Sequence, residues 1–267
     1  MEHLLPARFL TSKINVVVIG AGGTGSQMVT ALARLNHALM AFGHPHGLNV
    51  LLVDDDTVSE TNLLRQSFYP CDIGQYKAPV IINRVNAAFA LDWTSCIARV
   101  TANSNLSNFH IVIGCVDTRA ARKAIYQASN NNFIKYWLDC GNRLADGQII
   151  FGELEKEFQR SKKPKQIRLP HAGDLYPEML DASLDASDDI PSCSLAEALE
   201  KQSLFINTEV VTSAANLLFE FFRHGSISFH GNFFNLKTGK KMPLMVDPET
   251  WKRMGYTGKA KRKPRQH

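Results

Sequence analysis

At 267 residues with 45% hydrophobic content the chain can bury a full core as one domain, and it has neither a run of about 18 apolar residues nor a signal-peptide layout. Membrane and secretory classes are therefore set aside, a cytoplasmic location is expected, and five scattered cysteines (Cys71, Cys96, Cys115, Cys140, Cys193) with no Cys-x-x-Cys pair point to reduced thiols and no structural zinc. The net charge of +5 does not by itself indicate a nucleic-acid partner: seven basic residues (Lys252, Arg253, Lys259, Lys261, Arg262, Lys263, Arg265) and no acidic one follow Thr250, which leaves the first 250 residues at −2 and the excess in a basic, disordered tail.

Residues 14–19 (INVVVI) form a short β-branched apolar run ending in glycine, the pattern of a buried parallel strand. Gly20-Ala-Gly-Gly-Thr-Gly25 turns the chain, and from Ser26 the residues Met28, Val29, Leu32 and Leu35 recur at helical spacing to about Met40. Gly43-His-Pro-His-Gly47 breaks that helix, and 49–53 (NVLLV) reads as the next strand, completing a βαβ unit. After Asp54-Asp55-Asp56 comes a polar stretch, 57–76, and then a helix over 77–90 with Pro79 in its first turn. Strands are expected over 94–100 and 110–113, a helix over 119–130, and strands over 133–138 and 148–154. This alternation predicts a doubly wound, mostly parallel Rossmann-like α/β sheet with helices on both faces. Residues 155–189 are rich in charge and proline, basic and then acidic, and read as a long mobile crossover. Ser194-x-x-Glu197 is a capping box that opens a helix near Leu195; a helix over 208–222 has apolar residues on nearly every face; and 227–235 and 242–246 add C-terminal antiparallel strands.

Gly20, Gly22 and Gly25 match a nucleotide fingerprint, because glycine permits the tight turn and lets backbone N–H groups approach a phosphate at a helix N-terminus. Asp54, ending the second strand, suits ribose hydroxyls in either an ATP or an NAD site. The residues downstream of it separate the two. Asn62, Arg65, Gln66 and Lys77 place amides, a guanidinium and an ammonium beyond that carboxylate, a concentration of positive charge that a triphosphate needs and a hydride-transfer site does not. Each has a structural alternative: Asn62 can cap a turn, Arg65 can pair with Asp56, and Asp117 can cap the helix near Arg119.

Gly-x-Gly-Gly-x-Gly followed by Asp-x-Asp-x-Val-x-x-x-Asn-Leu-x-Arg-Gln resembles the adenylation domain of ThiF, MoeB and the ubiquitin-activating enzymes, and most nearly the ThiF-like proteins of PRTRC gene cassettes. The resemblance covers 16–146 and, more weakly, 193–222. It implies a single adenylation domain over 1–250, with 155–192 as its crossover and 251–267 as a tail. It further implies ATP and Mg²⁺, with Gly20, Gly22, Gly23 and Gly25 in the turn, Asp54 holding the ribose, Asn62 and Arg65 contacting phosphates, Lys77 neutralising the triphosphate, Asp56 and Gln66 among the nucleotide-binding residues and Asp117 linked to Mg²⁺. The expected reaction joins AMP to the C-terminal carboxylate of a small ubiquitin-like protein. Cys193, just before the capping box, aligns with the thiol that takes over the activated tail in some relatives and has no such role in MoeB-like ones, so an acceptor thiol and a buried structural cysteine both stand. A homodimer and a conjugating enzyme are the implied partners, with nucleic acid set aside. Arg8 sits closer to Gly20 than the family's trans-acting arginine does, which leaves a role for it in a neighbour's site open. The rivals are an NAD(P)-dependent oxidoreductase, a nucleotide-binding scaffold without turnover, and adenylation of a tRNA or a small carboxylate.

Overall fold

A computed structural model describes residues 1–63, 65–132, 134–156, 167–187 and 203–256. A two-residue strand β1 (His3–Leu4) and one helical turn α1 (Arg8–Thr11) lead into β2 (Ile14–Ile19), whose side chains are almost wholly buried, as its unbroken apolar run requires. Helix α2 (Gly23–Ala41) starts at Gly23 rather than Ser26: Gly22 is its N-cap, so the turn is confined to Gly20–Gly22 and two of the glycines enter the helix. Next come β3 (Leu48–Val53), α3 (Lys77–Phe89) and β4 (Thr94–Cys96), the last shorter than expected because it pairs only with the end of β3 at the sheet's edge.

Strand β5 (Ile111–Gly114) and helix α4 (Arg119–Asn131) fall where the pattern puts them. Strand β6 (Tyr136–Asn142) lies several residues later than the run 133–138 suggests. It takes in Asp139, which is fully buried, because Arg122 on α4 supplies a charge partner 3.2 Å away. Strand β7 (Asp146–Glu153) returns antiparallel to β6.

Part of the crossover, residues 167–187, carries short helical segments. It forms a short helix α5 (Ala172–Leu175) and two 3-10 turns (Pro177–Leu180 and Ala182–Ser187). Asp185 and His171 dock it to the rest of the fold, and an internal ion pair braces it. The Asp185 carboxylate accepts from the Arg119 and Ala120 amides at 2.9 and 2.8 Å, capping α4 from outside. Arg168 binds Asp174 at 2.9 Å, while His171 meets Glu155 at 3.1 Å. Burial raises the Glu155 carboxyl, but the hydrogen bond from His171 and the charges of His171 and Arg168 outweigh it and hold it down at about 2.

Helix α6 (Ile206–His224) packs on α2 and on β6 and β7; it ends at Gly225, whose φ of +71° supplies the left-handed cap. Strands β8 (Ser226–Ile227), β9 (Phe229–Asn235) and β10 (Lys240–Met245) and helix α7 (Pro248–Arg253), capped by Asp247, complete the described chain.

The main sheet runs β10-β9-β7-β6-β5-β2-β3-β4. The five strands from β6 to β4 are parallel, and β7, β9 and β10 extend the sheet antiparallel. From β2 the chain winds through α2 to β3 and β4; from β5 it winds the other way, through α4 to β6. The reversal opens a crevice beyond the carboxyl ends of β2 and β5, the place where such sheets take ligands. No helix among the described residues is long and apolar enough to cross a membrane. The expected capping box at Ser194 and Glu197, the helix from Leu195, Cys193 and the tail from 257 onward lie outside the described residues.

Candidate functional site

The floor of the crevice is the glycine turn. Gly20 has φ +96°, and a Cβ there would come within 2.5 Å of the Cys115 carbonyl oxygen, so glycine is needed both for the conformation and for the contact between β2 and β5. A Cβ on Gly25 would fall on the Gly20 carbonyl oxygen, and one on Gly23 would fall on the Asn207 side chain. Gly22 is different: nothing lies within 4 Å of where its Cβ would be. That open backbone is also the start of the 19-residue helix α2, which has no side-chain cap. Its first amides and the positive end of its dipole therefore lie beside the open position at Gly22 with no side chain capping them.

Asp54 braces the turn. Its carboxylate accepts from the Ala21 amide at 2.6 Å and from the Asp56 amide at 3.0 Å. Burial raises its carboxyl above the ordinary value, against those amides and the charge of Lys77. Lys77, only 8% exposed at its side chain, pairs with Asp56 at 2.9 Å, whereas Asp56 is 57% exposed. Asp56 thus takes Lys77 as its partner rather than Arg65, and of the pair only Asp56 faces water.

The loop 57–76 folds back over the turn, because the Ser67 amide donates to Ser26 Oγ in the first turns of α2 at 3.1 Å. This brings Arg65 and Gln66 to the helix start. Burial lowers the half-buried Arg65 guanidinium from its ordinary value. The Gln66 side-chain oxygen is buried with no hydrogen-bond partner among the described residues. Asn62 does cap a turn: its amide oxygen accepts from the Ser59 amide at 2.9 Å. Beneath the loop, Arg84 grips Asp72 at 2.8 and 2.9 Å and the Ser67 carbonyl at 2.8 Å.

Asp117 sits exposed beyond β5, across the crevice from Gly20. It does not cap α4. Thr118 does so, accepting from Ala121 at 3.2 Å, together with Asp185, which leaves the Asp117 carboxylate with no partner among the described residues. Arg122 holds the Asp117 carbonyl at 3.1 Å while pairing with Asp139.

Two positions here carried no signal in the sequence. Asn207, in the first turn of α6, accepts at its side-chain oxygen from Thr24 at 3.0 Å and from Asn142 at 2.9 Å, and it fills the space above Gly23. Thr208 adds a bond to Gln27 at 2.9 Å. An asparagine some 180 residues from the turn belongs to no local motif, so only folding connects them. Arg8 lies at the other end of β2 from Gly20, with its guanidinium 5.4 Å from the Phe9 ring centre, about 20 Å of strand from the turn in its own subunit.

The order of these groups along the chain matches a known pattern. A profile described as the ThiF family covers residues 10–242. This chain belongs to the ThiF family. It is 35% identical over 127 residues to the Nedd8-activating enzyme E1 catalytic subunit of Drosophila melanogaster, covering 44% of this chain and 25% of that protein. It is 29% identical over 116 residues to the adenylyltransferase and sulfurtransferase UBA4 of Yarrowia lipolytica, covering 41% and 26%. The chain thus spans only about a quarter of the length of these curated relatives. Among solved structures, E. coli MccB with ATP superposes with a TM-score of 0.56 at 14% identity, over 87% of this ThiF-family chain and 64% of MccB. MccB with AMPCPP and MccA does so with a TM-score of 0.56 at 15% identity, over 90% and 65%. At such identities the likeness shows a shared fold.

Proposed function

We propose that this ThiF-family chain binds ATP in the crevice between β2 and β5 and uses it to adenylate the C-terminal carboxylate of a small ubiquitin-like protein, releasing pyrophosphate. The observation that carries the reading is the pairing of an open glycine turn at Gly22 with a buried ammonium, Lys77, whose charge is felt by the same Asp54 carboxylate that braces the turn. Anion-seeking amides and a poised cation on one spot suit polyphosphate. The names of the relatives, activating enzymes and an adenylyltransferase, support the same reaction class.

In this reading the α2 amides hold the α-phosphate, Lys77 moves from Asp56 to the phosphates with Arg65 beside it, and the Asn62 NH2 group donates to a phosphate oxygen. Asp54 keeps lone pairs for the ribose hydroxyls, and the Gln66 oxygen accepts from a nucleotide hydroxyl. The acceptor carboxylate is ionised at neutral pH and needs no general base. Its oxygen attacks the α-phosphorus, the bond to the bridging oxygen breaks, and pyrophosphate departs with the electron pair. Asp117 offers a hard, unpaired oxygen donor at the crevice mouth, which fits Mg²⁺; when bound, that ion supplies neutralisation of phosphate charge. A thioester step at Cys193 with AMP leaving, onward transfer to a conjugating enzyme, a homodimer in which Arg8 serves the neighbour's site, one adenylation domain over 1–250 and the PRTRC-type subfamily all belong to this proposal.

ATP–pyrophosphate exchange with diglycine-tailed candidate proteins tests it. Exchange should occur with the native chain, vanish in Asp117→Ala and persist in Cys193→Ala. Exchange untouched by Asp117→Ala, or calorimetry showing that the crevice binds NADH and not ATP, overturns the reading.

A further inference from the structure

Two of the cysteines lie side by side beneath the glycine turn. Gly114 pairs with Asp139 in the parallel register of β5 and β6, so the next residues along, Cys115 and Cys140, are lateral neighbours. A Cβ on Gly114 would come within 3.5 Å of Ile125 of α4 and 3.7 Å of Asp139, so that residue pair faces α4. Strand alternation turns Cys115 and Cys140 to the opposite face, toward α2. The Cys115 Cβ indeed lies 3.3 Å from where a Cβ on Gly25 would be, while its carbonyl oxygen is the atom against Gly20. The neighbouring Cys115 thiol, together with burial, raises the Cys140 thiol well above its ordinary value. Cys140 is buried and Cys115 half-buried, so Cys115 is the one that meets solvent.

We propose that Cys115 and Cys140 form an oxidisable dithiol whose disulfide shuts the glycine turn to nucleotide. Peroxide is the oxidant. The Cys115 sulfur attacks one peroxide oxygen, the O–O bond breaks, and the departing hydroxide takes the thiol proton as water, leaving a sulfenic acid. The Cys140 sulfur then attacks the Cys115 sulfur, the S–O bond breaks, and the leaving hydroxide carries off the Cys140 proton as a second water. Two thiols are oxidised by two electrons in all, and one peroxide is reduced to two waters.

Geometry gives the bond its consequence. Neighbouring strands stand about 4.8 Å apart, whereas a disulfide draws its Cβ atoms to about 3.8 Å. Closing the bond therefore pulls the tip of β5 toward β6 and away from β2 and the glycine turn that follows it. The tip carries both contacts that hold the turn, the carbonyl on Gly20 and the Cβ under Gly25. Strain of this kind makes a disulfide easy to reduce, which suits a reversible modification. The exposed Cys71 and Cys96 have no such neighbour among the described residues.

The effect on nucleotide rests on the ATP reading of the crevice; formation of the disulfide does not. The native chain is treated with hydrogen peroxide, alkylated and digested with trypsin, which places Cys115 in the peptide 100–119 and Cys140 in 136–143. A linked pair of these two peptides, removed by dithiothreitol, is expected, and its absence overturns the dithiol. In parallel, ATP affinity by calorimetry should fall by about tenfold or more on oxidation and recover on reduction. Cys140→Ala and Cys140→Ser should bind ATP when reduced and keep most of that affinity after peroxide. If both variants lose affinity as the native chain does, the closure arises elsewhere and the inference is wrong. Should the reduced native chain bind no ATP at all, the functional reading fails while the linked peptide still decides the dithiol.

Discussion

Two buried histidines should make this fold lose stability in mild acid. His3 on β1 is 3% exposed and contacts the Tyr136 hydroxyl at 2.9 Å; His230 on β9 is fully buried and donates from Nδ1 to the Phe151 carbonyl at 2.8 Å. Burial, helped by the positive charge of Lys135, pulls His3 down to about 3 from the ordinary 6.5. Burial, opposed by the Phe151 bond and helped by His3, pulls His230 down to about 4. Both rings are thus neutral in the folded chain, whereas the unfolded chain takes up two protons as the pH falls below 6.5. The unfolded state binds more protons in that window, so stability is complete above 6.5 and declines toward the folded values. At about pH 5 each ring lies some 1.5 units below its unfolded value, which at 1.36 kcal/mol per unit costs about 2 kcal/mol per ring, or roughly 4 for both. That is a large part of the 5–15 kcal/mol that usually holds a domain. Urea unfolding at about pH 8 and about pH 5 measures it. His3→Phe should be weaker than the native chain at both pH values, having stranded the Tyr136 hydroxyl, but should lose about 2 kcal/mol less between them. Carboxylates contribute equally to both proteins and cancel in the comparison. A His3→Phe variant whose loss between the two pH values equals the native one would refute the reasoning.

Gly25→Ala places a methyl on the Gly20 carbonyl; the turn must open, and ATP binding by calorimetry should disappear even where circular dichroism shows the sheet retained. Lys77→Met should leave the melting temperature nearly unchanged, because the Asp56 it abandons is 57% exposed, yet reduce exchange by about a hundredfold or more through loss of phosphate neutralisation. Asn207→Ala removes the acceptor shared by Thr24 and Asn142, which should cost about 1–3 kcal/mol in urea unfolding and raise the Kd for ATP. Asp185→Ala frees the Arg119 and Ala120 amides at the start of α4, leaving only the Thr118 cap, and should cost about 1 kcal/mol; an unchanged midpoint would mean that the ordered part of the crossover does not dock as described.

The parallel half of the sheet was legible because its signals are local. An unbroken β-branched run such as 14–19 can only be buried on both faces, a glycine cluster can only turn, and the helical spacing of Met28, Val29, Leu32 and Leu35 can only present one face to that sheet. The glycines, Asp54 and Asp117 stand just past strand ends, where a doubly wound sheet gathers its ligand-binding groups, whereas Asn62, Arg65, Gln66 and Lys77 stand out by their charge and polarity and by the family resemblance; their shared role at the site is part of the proposal.

Local pattern could not carry the choice of partner. Whether Asp56 would hold Lys77 or Arg65, whether Thr118 or Asp117 would cap α4, and whether Asp139 could lie inside a strand all depended on groups brought from other elements: Lys77 from α3, Asp185 from the crossover, Arg122 from α4. Asn207 above Gly23 and Cys140 beside Cys115 are products of the same long-range packing. A residue's own backbone preference is set by its neighbours in the chain, but the energy of a buried charge, thiol or amide is set by whatever faces it in space, and only the assembled fold decides that.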